Sequence, residues 1–261
     1  MIGLEPLYDF VSLCLWTGAV QGERPASAII IAPPGSGKTS VLERMKGESS
    51  PFVSDLTSRE ISAILRDHPH ATHILLSDMM ALFSHKGPVT DLSCSMLGAL
   101  TGDSLKTDGF TGRDTGGKKM GLITAIPTYD FETNRKVQRT LNGAGFATRF
   151  MRVHYDYRPE TKVRIHEYIK ADLYTMESAA APFEVSKDRE PIHIEAGLAN
   201  TIHALSQVVK PNGDGIGTRI HLHLRALVKA RARRDGRSAA SPEDVSAINA
   251  YADFFTNGKL L

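Results

Sequence analysis

Residues 28–32 read Ala-Ile-Ile-Ile-Ala, and after Pro33 the run Pro34-Gly-Ser-Gly-Lys38 forms a glycine turn that neither a strand nor a helix can absorb. A short β-branched run without a polar position is a strand buried on both faces. Thr39 to Met45 (TSVLERM) then reads as a helix entered directly from the turn. Strand, glycine turn and helix in that order constrain the chain more than anything else in it. In such a turn backbone N–H groups can point inward around phosphate oxygens, and the start of the helix adds its positive end. Lys38 would reach the β and γ phosphates and the Thr39 hydroxyl would ligate Mg²⁺, with Pro34, Gly35, Ser36, Gly37 and Ser40 completing the cradle. The expected ligand is ATP with Mg²⁺.

A site of this kind needs a second carboxylate at the end of a neighbouring strand. His73-Ile-Leu-Leu-Ser-Asp78 supplies it, so Asp78 is the expected Mg²⁺-associated acid. The next residue is Met79, where a hydrolytic enzyme of this kind usually carries a Glu to polarise water. Either Asp78 serves both tasks, or the base comes from elsewhere, or hydrolysis is slow.

Gly121 to Ile126 and Phe150 to His154 are two further apolar, strand-like runs. Helical patterns cover Pro6–Val20, Asp55–Leu65 (with Thr57 or Ser58 as cap and Glu60 in the first turn), Asp91–Leu100 and Glu132–Leu141. Alternating strands and helices predict a parallel α/β sheet. After Tyr157 only helices are predicted, over Pro159–Ser178, Ile194–Val209, Thr218–Arg234 and Pro242–Phe255. The expected division is an N-terminal helix and linker over 1–27, an α/β nucleotide-binding domain over 28–158 and a helical lid over 159–261. The 261 residues carry a net charge of only +2, which excludes a polycationic coat protein and makes any basic surface local. Cys14 and Cys94 stand far apart with no zinc-type spacing. With no long apolar run and no leader-like start, a cytoplasmic protein without a membrane span is expected.

The pieces APPGSGKT, ILLSD, GLITAIP, GFATRF and GTRIHLHLRAL with its following SPEDV resemble, in order, the motifs of the AAA+ ATPase superfamily. The later pieces resemble its minichromosome-maintenance and MoxR-type branches. The resemblance implies a P-loop fold with a helical lid, assembled as a homo-oligomer, a ring (a hexamer) or a helical filament. It places Arg149 as an arginine finger acting on the neighbour's γ phosphate, with Arg135 and Arg139 as rivals, and Arg219 as the lid arginine acting on its own. Thr128, with Thr124 as the other choice, stands near the place of the water-orienting polar residue.

Two basic segments are candidate DNA contacts. Thr101–Lys119 carries Lys106, Arg113, Lys118 and Lys119 among glycines, and Arg225, Lys229 and Arg233 fall on one face of a helix. The leading expectation is an ATPase acting on DNA, with a partner protein supplying specificity. A MoxR-like protein-remodelling ATPase and a nucleotide-gated assembly protein with weak hydrolysis stand beside it.

Overall fold

The run Ala28–Ala32 (β1) lies inside the sheet, paired in parallel with Gly121–Pro127 (β4) on one side and Met151–Asp156 (β5) on the other. The structure, a computed structural model, describes residues 2–85, 87–102, 118–143, 149–171, 183–209, 218–256 and 258–261. His73–Leu76 (β3) pairs with β4, and the two-residue Phe52–Val53 (β2) pairs with β3. All pairings are parallel, giving a five-strand sheet that the short Lys259–Leu260 (β6) extends beside β5, in the order β2-β3-β4-β1-β5-β6.

Alternation along β1 divides the core in two. Ala28, Ile30 and Ala32 face a layer built from Glu5–Trp16 (α1) and Lys38–Arg44 (α2), together with later helices. Ile29 and Ile31 face the opposite layer, formed by Ser58–Asp67 (α3), Met79–Ser84 (α4), Gly87–Thr101 (α5) and Arg135–Gly143 (α7), the last following Thr128–Thr133 (α6). The result is an α/β fold of three layers. In β5 the alternation shows in the sequence: Met151, Val153 and Tyr155 point into the first core, while Arg152 and His154 lie against Phe131.

The first core crosses both expected boundaries. Leu7 and Phe10 of α1 share it with Ile202 of Ala196–Val209 (α9), Leu224 and Leu227 of Thr218–Arg234 (α10), Val245 and Ile248 of Pro242–Asn249 (α11) and Phe254 of Ala252–Thr256 (α12). Of the helices expected as a lid, α9 to α12 therefore share one core with α1 and with one face of the sheet, α12 packs on β5, and β6 returns the chain to the sheet. Pro159–Lys170 (α8) is the exception, with no buried residue.

The Thr57 cap forms as a full capping box with Glu60. The helix expected over Glu132–Leu141 is instead two helices, because the Asn134 side chain accepts from the N–H groups of Lys136 and Val137 and starts α7 anew. Helix α5 starts at Gly87 rather than Asp91, with Pro88 in its first turn. Among the described residues no helix is long and apolar enough to cross a membrane.

His73 is buried at the start of β3, with Nδ1 3.0 Å from Thr72 Oγ1. The absent side chain of Gly121 makes its space, since a Cβ there would lie 2.4 Å from the imidazole Cδ2. Burial pushes the His73 pKa down to about 3, so the folded chain keeps it neutral while an unfolded imidazole takes a proton near pH 6.5. Its contribution to stability is full above that pH and declines as pH falls from there toward the folded value, by up to about 1.4 kcal/mol per pH unit. His73→Asn should make the acid limb of the unfolding free energy, measured by urea titration at several pH values, shallower by about one proton. Superimposable limbs would exclude this origin.

Candidate functional site

The turn after β1 lies at the carboxyl edge of the sheet, beside the end of β4, where Ala32 is in register with Pro127. Gly35 and Gly37 both adopt left-handed backbone, with φ of +71° and +82°, which a residue with a side chain reaches only at a steric cost. Gly37 is also the residue from which α2 starts. Pro33 and Pro34 carry no N–H, so the donors of the turn are confined to Gly35 onward. The Lys38 ammonium is almost fully buried and donates to the carbonyls of Ala32 (2.8 Å) and Pro33 (2.7 Å) and to Ser36 Oγ (3.4 Å). Burial lowers its pKa, and the charge of Asp78 opposes that shift. Pro34 and Gly35 are exposed at the mouth of the turn, and Thr39 and Ser40 on the first turn of α2.

Asp78 follows β3 on the same edge. Its Oδ1 accepts from the Met80 N–H at 2.8 Å, so the carboxylate is oriented as the cap of α4. Met79 is wholly buried in the second core. Thr128 opens α6 immediately after β4, half-buried on this edge. Thr124 is buried within β4, in register with Ile29 and Leu76, and belongs to the core. A hydroxyl and a carboxylate suit Mg²⁺, which takes few protein ligands and keeps phosphate oxygens and water for the rest. Among the described residues no three His, Cys, Asp or Glu side chains converge on a metal.

Sequence reasoning missed the wall behind the turn. Tyr155 Oη donates to the Ser36 carbonyl at 2.8 Å and lies 3.2 Å from Ser36 Oγ, and Tyr157 Oη donates to the same carbonyl at 2.8 Å. Leu4, just ahead of α1, packs under Gly37, where a Cβ would come within 2.7 Å of its Cδ1. The available signal was two tyrosines at alternate positions where a strand ends, since a buried phenol needs a hydrogen-bond partner.

Arg149 and Arg219 come together at the other end of the sheet. They line a cavity of about 260 Å³ with Arg24, Gly102, His223 and Arg225. His223 Nε2 is 2.9 Å from the Arg149 carbonyl, and a Cβ on Gly102 would lie 2.6 Å from Arg149 Nε. This is the amino edge: Arg24 precedes β1 and Arg149 precedes β5. The five residues of β1 set the two edges roughly 17 Å apart. Arg219 therefore does not face the turn 33–39 of its own chain, contrary to the lid-arginine expectation. Arg135 and Arg139 are exposed on α7.

The basic face of α10 is engaged within the chain. Buried Glu23 pairs with Arg225 (3.0 Å) and Lys229 (2.7 Å), and Arg233 pairs with Glu190 (2.8 Å). The next residue, Arg234, pairs with Asp9 (2.7 Å). These cations fasten α10 to α1, to the segment ahead of β1 and to Glu190, which is a structural use of the charge pattern read as a DNA contact. Lys118 donates to the carbonyls of His68 and Pro69, and Lys119 to that of Ala99. Lys106 and Arg113 lie outside the described residues. No family model and no curated protein matches the chain.

The Glu23 contacts have a measurable consequence. Glu23→Gln keeps the shape but leaves Arg225 and Lys229 facing each other without their carboxylate, and should lower the unfolding free energy by about 2–4 kcal/mol. Denaturant titration measures it, and a change below about 0.5 kcal/mol would mean that the pairs are not structural.

Proposed function

We propose that this chain binds ATP with Mg²⁺ in the turn 33–39 and couples nucleotide state to its own assembly, as a P-loop protein of AAA+ type with slow hydrolysis. The observation that carries the reading is buried Lys38, whose ammonium is held inside a turn with two left-handed glycines and is favoured by the charge of Asp78. Phosphates entering the turn meet the N–H groups from Gly35 onward, the start of α2 and the ammonium. Thr39 and Asp78 would hold Mg²⁺, which supplies charge neutralisation at the phosphates.

The position after Asp78 is what supports slow turnover over the other two alternatives. Met79 is a core residue, so no side chain there can polarise a water beside the phosphates. The separation of the edges supports the assembly reading. Arg149 stands at the amino edge, so any contact it makes with a γ phosphate is with the nucleotide of another copy. A ring or filament is the arrangement that supplies this contact, and Arg219, sharing its cavity, would present to the same neighbour. The DNA-gripping role of the α10 face is not carried forward, because Arg225, Lys229 and Arg233 are paired within the chain.

Lys38→Ala should weaken MgATP binding by about 100-fold or more, read by calorimetric titration. Unchanged affinity would sink the site assignment. Arg149→Ala should leave the affinity of the monomer within about threefold of the parent while abolishing nucleotide-dependent assembly, seen by light scattering with a non-hydrolysable ATP analogue. An Arg149→Ala monomer that no longer binds nucleotide would instead place that arginine in its own chain's site.

A further inference from the structure

Between Ser36 and Gly37 lies a peptide whose orientation local sterics leave open. A flip there turns ψ of Ser36 and φ of Gly37, and Gly37, without a Cβ, admits either sign of φ. The peptide is trans, as are all others in the described chain, so its C=O and N–H point in opposite directions. Whatever holds the Ser36 carbonyl therefore also aims the Gly37 N–H.

What holds it is two phenols. Tyr155 and Tyr157 each donate to this carbonyl at 2.8 Å, one for each lone pair of the oxygen. Both tyrosines are buried on the core side of the turn, whereas Pro34 and Gly35 are exposed at its mouth. A carbonyl pulled toward the phenols turns the Gly37 N–H away from the core and into the turn. That orientation matters more in this chain because Pro33 and Pro34 have already removed two donors from the first half of the turn.

The phenols are themselves fixed. Their rings meet edge-on, with centroids 6.0 Å apart. The backbone that carries them is paired at Tyr155 and Asp156 with β6. It is fastened again by hydrogen bonds of 2.8 Å from Leu261 N–H to the Asp156 carbonyl and from Arg158 N–H to the Leu261 carbonyl. Below, Leu4 closes the space under Gly37. Burial pushes the Tyr157 pKa up to about 12 and raises that of Tyr155 as well, so both stay protonated and able to donate at neutral pH.

We propose that Tyr155 and Tyr157 are positioning residues for phosphate binding: they clamp the Ser36 carbonyl and thereby present the Gly37 N–H to the ligand. The proposal rests on the reading of residues 33–39 as a phosphate site. Either phenol alone keeps the carbonyl on the core side but leaves one of its lone pairs free, so each single variant keeps most of its affinity with a reduced Gly37 response, and the double variant loses both.

The test compares the parent with Tyr155→Phe, Tyr157→Phe and the double variant, using MgATP and inorganic pyrophosphate as probes in calorimetric titration. Each single variant should bind both probes within about threefold of the parent, and the double variant at least about tenfold more weakly. The Gly37 amide resonance should move on addition of pyrophosphate in the parent and lose that response in the double variant, a change that a general loosening of the core would not single out. A double variant that binds both probes as the parent does, with the Gly37 response intact, overturns the clamp while leaving the phosphate site standing. A parent that binds neither probe overturns the phosphate site itself. Should the double variant fail to fold, the singles decide. A reduced Gly37 response in at least one supports the clamp, and full responses in both overturn it.

Discussion

Strand β1 has neighbours on both sides and helices on both faces, and that enclosure organises the rest of the chain. A strand in this position cannot carry a polar residue without stranding it, and Ala28–Ala32 has none. Because β1, β4 and β5 all run the same way, every segment entering them collects at one edge and every segment leaving them at the other. The turn 33–39, Asp78 and Thr128 share the leaving edge for this reason. Arg24, Gly102 and Arg149 share the entering edge for the same reason. Loops at the carboxyl ends of parallel strands are the usual place for ligands in such sheets.

The elements that carry their own signal were legible. β1 is apolar throughout, Thr57 and Glu60 spell a capping box, and the pattern of α10 runs over its observed length, Thr218–Arg234. The elements that were not legible depend on distant partners. β2 and β6 are two residues each, too short for any periodicity, and exist because a longer strand lies beside them. The break at Asn134 turned on whether one amide side chain folds back on its own backbone, a competition that composition does not resolve.

In the candidate site the same division holds. Lys38, Thr39 and Asp78 belong to contiguous motifs whose spacing carries the chemistry. The cations of α10 also look like a motif, but their meaning was set by Glu23 and Glu190, of which Glu23 lies some two hundred positions from Arg225. A row of arginines on a helix reads identically whether its acids are elsewhere in the chain or its phosphates are in another molecule. Tyr155 and Tyr157 were hidden for a related reason, since the group they serve is a backbone carbonyl, which has no letter in the sequence.

Lys38 donates to the carbonyls of the very turn that would receive phosphate. Those acceptors belong to peptides whose nitrogens are prolines, so they have no N–H of their own to offer an anion. Accommodating a phosphate thus exchanges internal hydrogen bonds for external ones at the same ammonium, and the net enthalpy of entry is smaller than the new contacts alone suggest. A ligand that lacks a strong anion would gain nothing from that exchange, so a turn of this build would discriminate against uncharged nucleosides before any contact with the base is made.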